Sequence, residues 1–267
     1  MSDILKQIIT RCRDAVHEQR VTLNECKAKA KDRQDVRPFL ESLRNAVKSH
    51  DRTVIIAEIK RGSPAKGLFA PSLSPAVFAA EYEAGGATCL SVLTEPDFFH
   101  GSLRDLVEAR NHCSLPILQK DFIVDTLQIY QAATCADAIL LIARCLEHSQ
   151  LEEYHALATK LGLDVLVEVF DESDMEKIER YHFPLIGINH RNLATMSVDL
   201  ERSCNLASRF DFDQMLVAAS GIKNSDDIET LTMCGMQAFL IGESLSRSDN
   251  RVEFLRQLVG GRQEDVY

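Results

Sequence analysis

A glutamate and a lysine stand two residues apart in Ala57-Glu58-Ile59-Lys60, just ahead of Arg61-Gly62-Ser63-Pro64. On an extended strand, residues i and i+2 face the same way, so this spacing sets a carboxylate beside an ammonium. Such a pair suits proton transfer and anion binding, and it suits a structural ion pair equally well. Lys120 closes the short run Ile117-Leu118-Gln119, where an ammonium near other polar groups can act as a general acid. Glu168 interrupts the apolar Val167-Glu168-Val169. Burying an unpaired carboxylate is costly, so Glu168 calls for a lysine partner, a function or both, and Lys60 and Lys120 are the candidates. In Gly187-Ile188-Asn189-His190-Arg191, Asn189 can orient a hydroxyl or carbonyl and Arg191 can hold a carboxylate through two parallel hydrogen bonds. His190 between them reads as a surface residue rather than a base.

Two further segments bring glycine to the end of an apolar run: Ala219-Ser220-Gly221-Ile222 and Ile241-Gly242-Glu243-Ser244. Bare backbone N–H groups at such points, with a short helix starting beside them, form the usual phosphate site after the last two strands of an α/β barrel. Ser63 adds a hydroxyl and Lys66 a charge. These groups together describe a site for a phosphorylated small molecule with a second anionic group, worked by acid–base chemistry without a metal or other cofactor.

The elements that must position these residues follow from hydropathy. Eight short apolar runs lie beyond residue 50: Val54–Ile59, Cys89–Leu93, Ile117–Gln119, Ala138–Ile142, Val165–Val169, Leu185–Ile188, Leu216–Ala218 and Ala238–Ile241. Runs apolar on both faces are the mark of parallel strands. Helical segments separate them, opening at Ser74-Pro75, Ser102, Asp125, Ser149, Asp171, Asp199, Ser225 and Asp249, and the first closes at Gly85-Gly86. Eight alternations predict an α/β fold, a closed (β/α)8 TIM barrel; an open doubly wound sheet is disfavoured because no Gly-x-Gly-x-x-Gly follows the first strand. Before it, Leu5, Ile8, Ile9, Cys12, Ala15 and Val16 form one helical stripe, and Phe39, Leu40, Leu43 and Val47 a second. The polar Lys27–Arg37 stretch reads as their connection. The expectation is one domain over residues 1–267, with 1–50 a helical extension that caps the barrel or lines its mouth and 51–260 the barrel itself.

Composition bounds the partners. The 267 residues are 45% apolar and 26% charged, enough for a sizeable core and against disorder. A net charge of −10, with no basic stretch interleaved with aromatics, argues against nucleic acid and anionic membranes, so an anionic substrate requires cations gathered locally. The eight cysteines show no CxxC pair and several sit in apolar runs, so they are expected to be reduced, buried thiols rather than a disulfide or zinc framework. The charged first residues and the lack of an apolar run near a membrane span predict a cytoplasmic protein; a monomer or weak homodimer is expected.

Five segments, 57–67 (AEIKRGSPAKG), 90–102 (LSVLTE with FFHGS), 116–125 (PILQKDFIVD), 186–193 (IGINHRNL) and 220–223 (SGIK), occur in the order in which indole-3-glycerol phosphate synthases carry similar motifs, and the chain resembles that family throughout. The resemblance implies conversion of 1-(2-carboxyphenylamino)-1-deoxyribulose 5-phosphate to indole-3-glycerol phosphate, CO2 and water in tryptophan biosynthesis. It implies Lys120 as general acid, Glu168 stabilising a cationic intermediate, Glu58 as base in the dehydration, and Lys60 holding the substrate carboxylate or donating a proton. Asn189 would position sugar hydroxyls, Phe99 and Phe122 would pack the aromatic ring, and Arg191 and Leu193 would line the site. Ser63, Ser220, Gly221, Gly242 and Glu243, the last through its backbone N–H, would bind phosphate.

In one place the chain departs from the family. Glu-Ser-Gly is usual after strand seven, and here the first residue is Ala219. Two other readings therefore stand beside the synthase: a paralogue of the same barrel retuned for a related aryl-amino sugar phosphate, and a non-catalytic phosphate-binding protein. Retention of Glu58, Lys60, Lys120, Glu168 and Asn189 weighs against the last.

Overall fold

In the computed structural model, which describes residues 3–19, 23–191, 200–211 and 213–260, eight parallel strands close into a barrel. They are β1 (Val54–Ile59), β2 (Cys89–Leu93), β3 (Ile117–Lys120), β4 (Ala138–Ile142), β5 (Asp164–Val169), β6 (Leu185–Asn189), β7 (Met215–Ala219) and β8 (Ala238–Ile241). Each strand pairs with its sequence neighbours, and β1 closes the ring against both β2 and β8, with Ile56 level with Cys89 on one side and Leu240 on the other. Nearly every strand residue is buried, as expected of strands covered on both faces. The sequence places four strands with these bounds; β3, β5, β6 and β7 extend further, to Lys120, Asp164, Asn189 and to Met215 and Ala219.

Three helices precede the barrel: α1 (Asp3–Gln19), α2 (Leu23–Asp32) and α3 (Phe39–Ser49). The barrel helices are α4 (Pro75–Ala84), α5 (Leu103–Arg110), α6 (Thr126–Ala132), α7 (His148–Lys160), α8 (Glu172–Ile178), α9 (Leu200–Ala207) and α10 (Ser225–Met233), followed by the short α11 (Glu243–Arg247) and then α12 (Arg251–Val259). Ser74, Ser102, Asp125 and Asp171 each accept a backbone N–H of the first turn, so these expected starts are true N-caps. At the other starts the caps are Glu147, Asn224 and Asn250 rather than Ser149, Ser225 and Asp249. The expected start at Asp199 lies outside the described residues.

The Lys27–Arg37 connection differs most from expectation, because its first half is the end of helix α2. That helix has no apolar stripe and buries only Ala30. It is held instead by charge: Arg33 and Arg110 donate to the fully buried Asp137 at 3.0 and 2.6 Å, and the Arg37 and Ile117 backbone N–H groups fill its remaining acceptor sites. A buried carboxylate satisfied on all sides anchors an element that periodicity alone cannot detect.

Two apolar layers result. One lies between the strands and the outer helices; the other runs up the barrel interior through Ile56, Leu118, Leu140, Leu166, Val217 and Leu240. The inner layer continues at one end into Phe39 and Leu43 of α3, next to the strand starts, where Asp164 accepts the Leu40 N–H at 2.8 Å. At the other end it continues into Leu5, Ile8, Ile9 and Cys12 of α1. Within the extension, α3 thus packs at the bottom of the barrel and α1 at its mouth.

One expectation fails. Cys204 in α9 and Cys234, which ends α10, form a disulfide with their Cα atoms 5.0 Å apart; six cysteines remain free. A separation of 30 residues carries no pairing signal in the sequence; the bond arises because the fold brings Cys204 of α9 close to the C-terminal end of α10. Closing a loop of that length stabilises by roughly 3–4 kcal/mol in the chain-entropy picture. Reduction, or Cys204→Ser, should therefore lower Tm by roughly 10 °C. Thiol titration of the denatured, unreduced protein should find six reactive groups, and a count of eight would show the pair to be open in solution.

Candidate active site

The strands end at one face of the barrel, and there a cavity of about 480 Å³ opens. Glu58, Lys60, Ser63, Phe99, Lys120, Phe122, Glu168, Asn189, Arg191, Ser220, Gly221, Gly242 and Glu243 all line it, so the structure brings together every expected site residue but one. Leu193 lies outside the described residues. Lys66, Lys223 and Arg247 are there too, giving six lysines and arginines against the carboxylates of Glu58, Glu168 and Glu243. A chain of net charge −10 concentrates positive charge at this one opening, as an anionic substrate demands.

The titratable groups fall into two pairs. Glu58 and Lys60 meet at 2.5 Å, the side-by-side arrangement their spacing implies. Across the mouth, Lys120 stands 4.0 Å from Glu168, which also accepts a hydrogen bond from the Asn189 amide at 3.0 Å. Glu58 and Glu168 are almost fully buried, and Oε2 of Glu168 has no hydrogen-bond partner among the described residues. A buried carboxylate oxygen left with only a loosely placed ammonium is poised toward whatever enters the cavity.

The glycines perform two different tasks. Ser220 and Gly221 both take left-handed backbone conformations, with φ of 72° and 82°, turning the chain sharply at the end of β7. Gly242 precedes α11 directly, and a Cβ there would strike the Glu58 carboxylate, so its bareness makes room for a site residue. Ser244 ties the two loops by donating to the Ile222 carbonyl at 3.0 Å.

The opposite wall is apolar. Ile4, Leu5 and Ile8 of α1 join Leu93, Phe99 and Phe122, and the two phenylalanine rings lie 5.9 Å apart, tilted by 36°. Edge-and-offset geometry of this kind receives an aromatic ring well. Sequence reasoning missed what holds this wall. Glu95, 1% exposed, accepts the backbone N–H groups of Asp97, Phe98 and Phe99 at 3.1, 2.7 and 3.0 Å and so fixes the turn that delivers Phe99. Burial pushes its carboxyl above the ordinary range although those hydrogen bonds oppose the shift. Asp121 plays the same part for Phe122, whose N–H it accepts at 2.8 Å while Thr94 donates to it at 2.5 Å. A Thr-Glu pair ending one strand and an Asp after the next were the available signals.

His190 requires a correction. It is wholly buried rather than on the surface, packed where β6 turns toward α9. Burial drives its pKa down to about 4, so the ring is neutral.

Comparison with known proteins agrees with the geometry. The family model for indole-3-glycerol phosphate synthase matches residues 5–258. The chain is similar to the indole-3-glycerol phosphate synthase of Desulfosudis oleivorans, at 48% identity over 97% of this chain and 99% of that one. It is also similar to the enzyme of that name from Neisseria meningitidis, at 44% identity over 94% and 96%. Among solved structures, tryptophan synthase subunit alpha from Legionella pneumophila shares the fold at TM-score 0.59 and 12% identity, covering 84% of this chain and 97% of that one.

Proposed function

The chain belongs to the indole-3-glycerol phosphate synthase family, and from that premise we propose how its own residues divide the work of closing the indole ring. The substrate is 1-(2-carboxyphenylamino)-1-deoxyribulose 5-phosphate. Its phosphate sits against Ser220–Gly221 and Gly242–Glu243 with Ser63 beside them, and its aromatic ring packs against Phe99 and Phe122. Lys60 and Arg191 take the carboxylate.

The ring carbon bearing that carboxylate attacks the ketone, forming the new C–C bond, while Lys120 protonates the ketone oxygen to a hydroxyl. The ring carries positive charge at this stage, and the adjacent Glu168 carboxylate stabilises it, held in place by Asn189. Release of CO2 breaks the second C–C bond and restores the aromatic ring. Loss of the hydroxyl as water then needs a proton donor at the oxygen, supplied by Lys120 or Lys60, and a base for the neighbouring C–H, supplied by Glu58. Indole-3-glycerol phosphate remains. The observation that carries the reading is the placement of the Lys120–Glu168–Asn189 group and the Glu58–Lys60 pair at one cationic mouth with an aromatic wall.

Purified protein given this substrate should develop indole fluorescence and release one CO2 per turnover. Tight substrate binding without either signal would mean a phosphate-binding protein instead. A cytoplasmic location belongs to the same proposal; the six free thiols favour it, the Cys204–Cys234 disulfide weighs against it, and cell fractionation tests it.

A further inference from the structure

His190 follows β6 directly and makes two hydrogen bonds, to the last residue of β7 and to the first residue of the loop after it. Its backbone N–H donates to the Ala219 carbonyl at 2.9 Å, and its ring Nδ1 meets the Ser220 carbonyl at 3.0 Å. A carbonyl oxygen only accepts, so Nδ1 carries the proton. Nε2 has no hydrogen-bond partner among the described residues, so the ring is spent on this one contact. Ser220 is the residue it grips, and Ser220 is one of three non-glycine residues with positive φ among the described residues. Serine adopts the left-handed region reluctantly, and a residue stays there only when its surroundings enforce it.

We propose that His190 is a positioning residue for phosphate binding: its Nδ1–H holds Ser220 in the left-handed conformation that, with Gly221, shapes the loop receiving the substrate phosphate. His190 touches no substrate. Its own place is set from behind, where Arg202 of α9 donates to the Asn189 and His190 carbonyls at 3.3 Å and stacks on the Phe170 ring. The inference rests on the phosphate reading of this mouth, and the two fail differently.

The test compares His190→Leu, which keeps bulk and removes the donor, with His190→Asn, whose amide N–H falls near the Nδ1 position. His190→Leu should raise KM and the inhibition constant of inorganic phosphate about tenfold each while kcat stays within about twofold, since Lys120 and Glu168 stand on other strands. His190→Asn should restore both constants to near wild type. Adding Ser220→Gly to His190→Leu should also restore phosphate affinity, because glycine enters the left-handed region unaided. A merely space-filling histidine predicts no rescue by Asn and none by Ser220→Gly, and either failure overturns the proposal. Should His190→Leu not fold, exchange of the His190 Nδ1 proton in the wild-type protein decides: saturation with inorganic phosphate slows it if the loop is coupled to the ring, and an unchanged rate sinks the idea. If inorganic phosphate does not compete with substrate in the wild-type protein, the phosphate reading itself is wrong.

Discussion

Lys120→Met should reduce kcat by at least about 100-fold while leaving KM within a few-fold of wild type. Methionine keeps the long apolar stem of lysine, so the packing beside Phe122 and the cavity floor survives, and only the proton and charge are lost. The proposed phosphate loops at the ends of β7 and β8 are untouched, so affinity for the phosphorylated substrate has no reason to collapse. The one structural cost falls on Glu168. Its Oε2 has no hydrogen-bond partner among the described residues and Lys120 is the cation 4.0 Å away, so removing the ammonium leaves a buried carboxylate with Asn189 for company. A melting curve separates that cost from the catalytic one. Lys120→Arg sharpens the result, because a guanidinium preserves the charge beside Glu168 but does not give up a proton at neutral pH. It should fold as well as wild type and turn over nearly as poorly as Lys120→Met. Turnover close to wild type in either variant removes Lys120 from the proton-transfer steps.

The fold was legible in the sequence because burial on both faces leaves a continuous apolar run. Val54–Ile59 and Ala138–Ile142 announce themselves this way, and three of the four runs that fall short do so where a strand ends on a polar residue, Lys120, Asp164 or Asn189. Glu58, Lys120 and Glu168 were legible for the complementary reason: each is a charge where the pattern asks for an apolar residue. What escaped is held by contacts between distant parts of the chain. Helix α2 owes its place to Asp137, about a hundred residues away from Arg33 and Arg37. The Cys204–Cys234 bond depends on the fold bringing α9 close to the end of α10. His190 looks like any polar loop residue until β7 and α9 close over it, and nothing in Asn-His-Arg distinguishes a buried ring from an exposed one. Glu95 and Asp121 were hidden too, since a carboxylate after a strand ordinarily faces water and these two face backbone N–H groups instead.

Ala219→Glu should raise kcat/KM for indole formation, by roughly tenfold and at most about a hundredfold. The residue ends β7 level with Asn189 on one side and Leu240 on the other, is 2% exposed, and lines the cavity. The family resemblance implies glutamate at this position, so in the proposed mechanism the two lysines work with one carboxylate fewer. Lys60 is already engaged by Glu58 at 2.5 Å, whereas among the described residues the carboxylate nearest Lys120 is Glu168 at 4.0 Å. A carboxylate reaching in from β7 gives an ammonium a second acceptor and fixes its position, and one charge-assisted hydrogen bond contributes about 1.5–3 kcal/mol. Against this stands the cost of a further negative charge beside Glu58 and Glu168. The balance favours the gain because six cationic side chains face three carboxylates around the cavity, so the added charge still leaves an excess of positive ones. A site retuned for a different aryl-amino sugar phosphate predicts the reverse: the new side chain occupies space that substrate uses and repels its anionic groups, lowering turnover of the preferred substrate. Measuring both proteins with the carboxyphenylamino substrate and with ring-substituted analogues separates the cases. A well-folded Ala219→Glu variant with unchanged rates on all of them would show that the lysines need no carboxylate from β7.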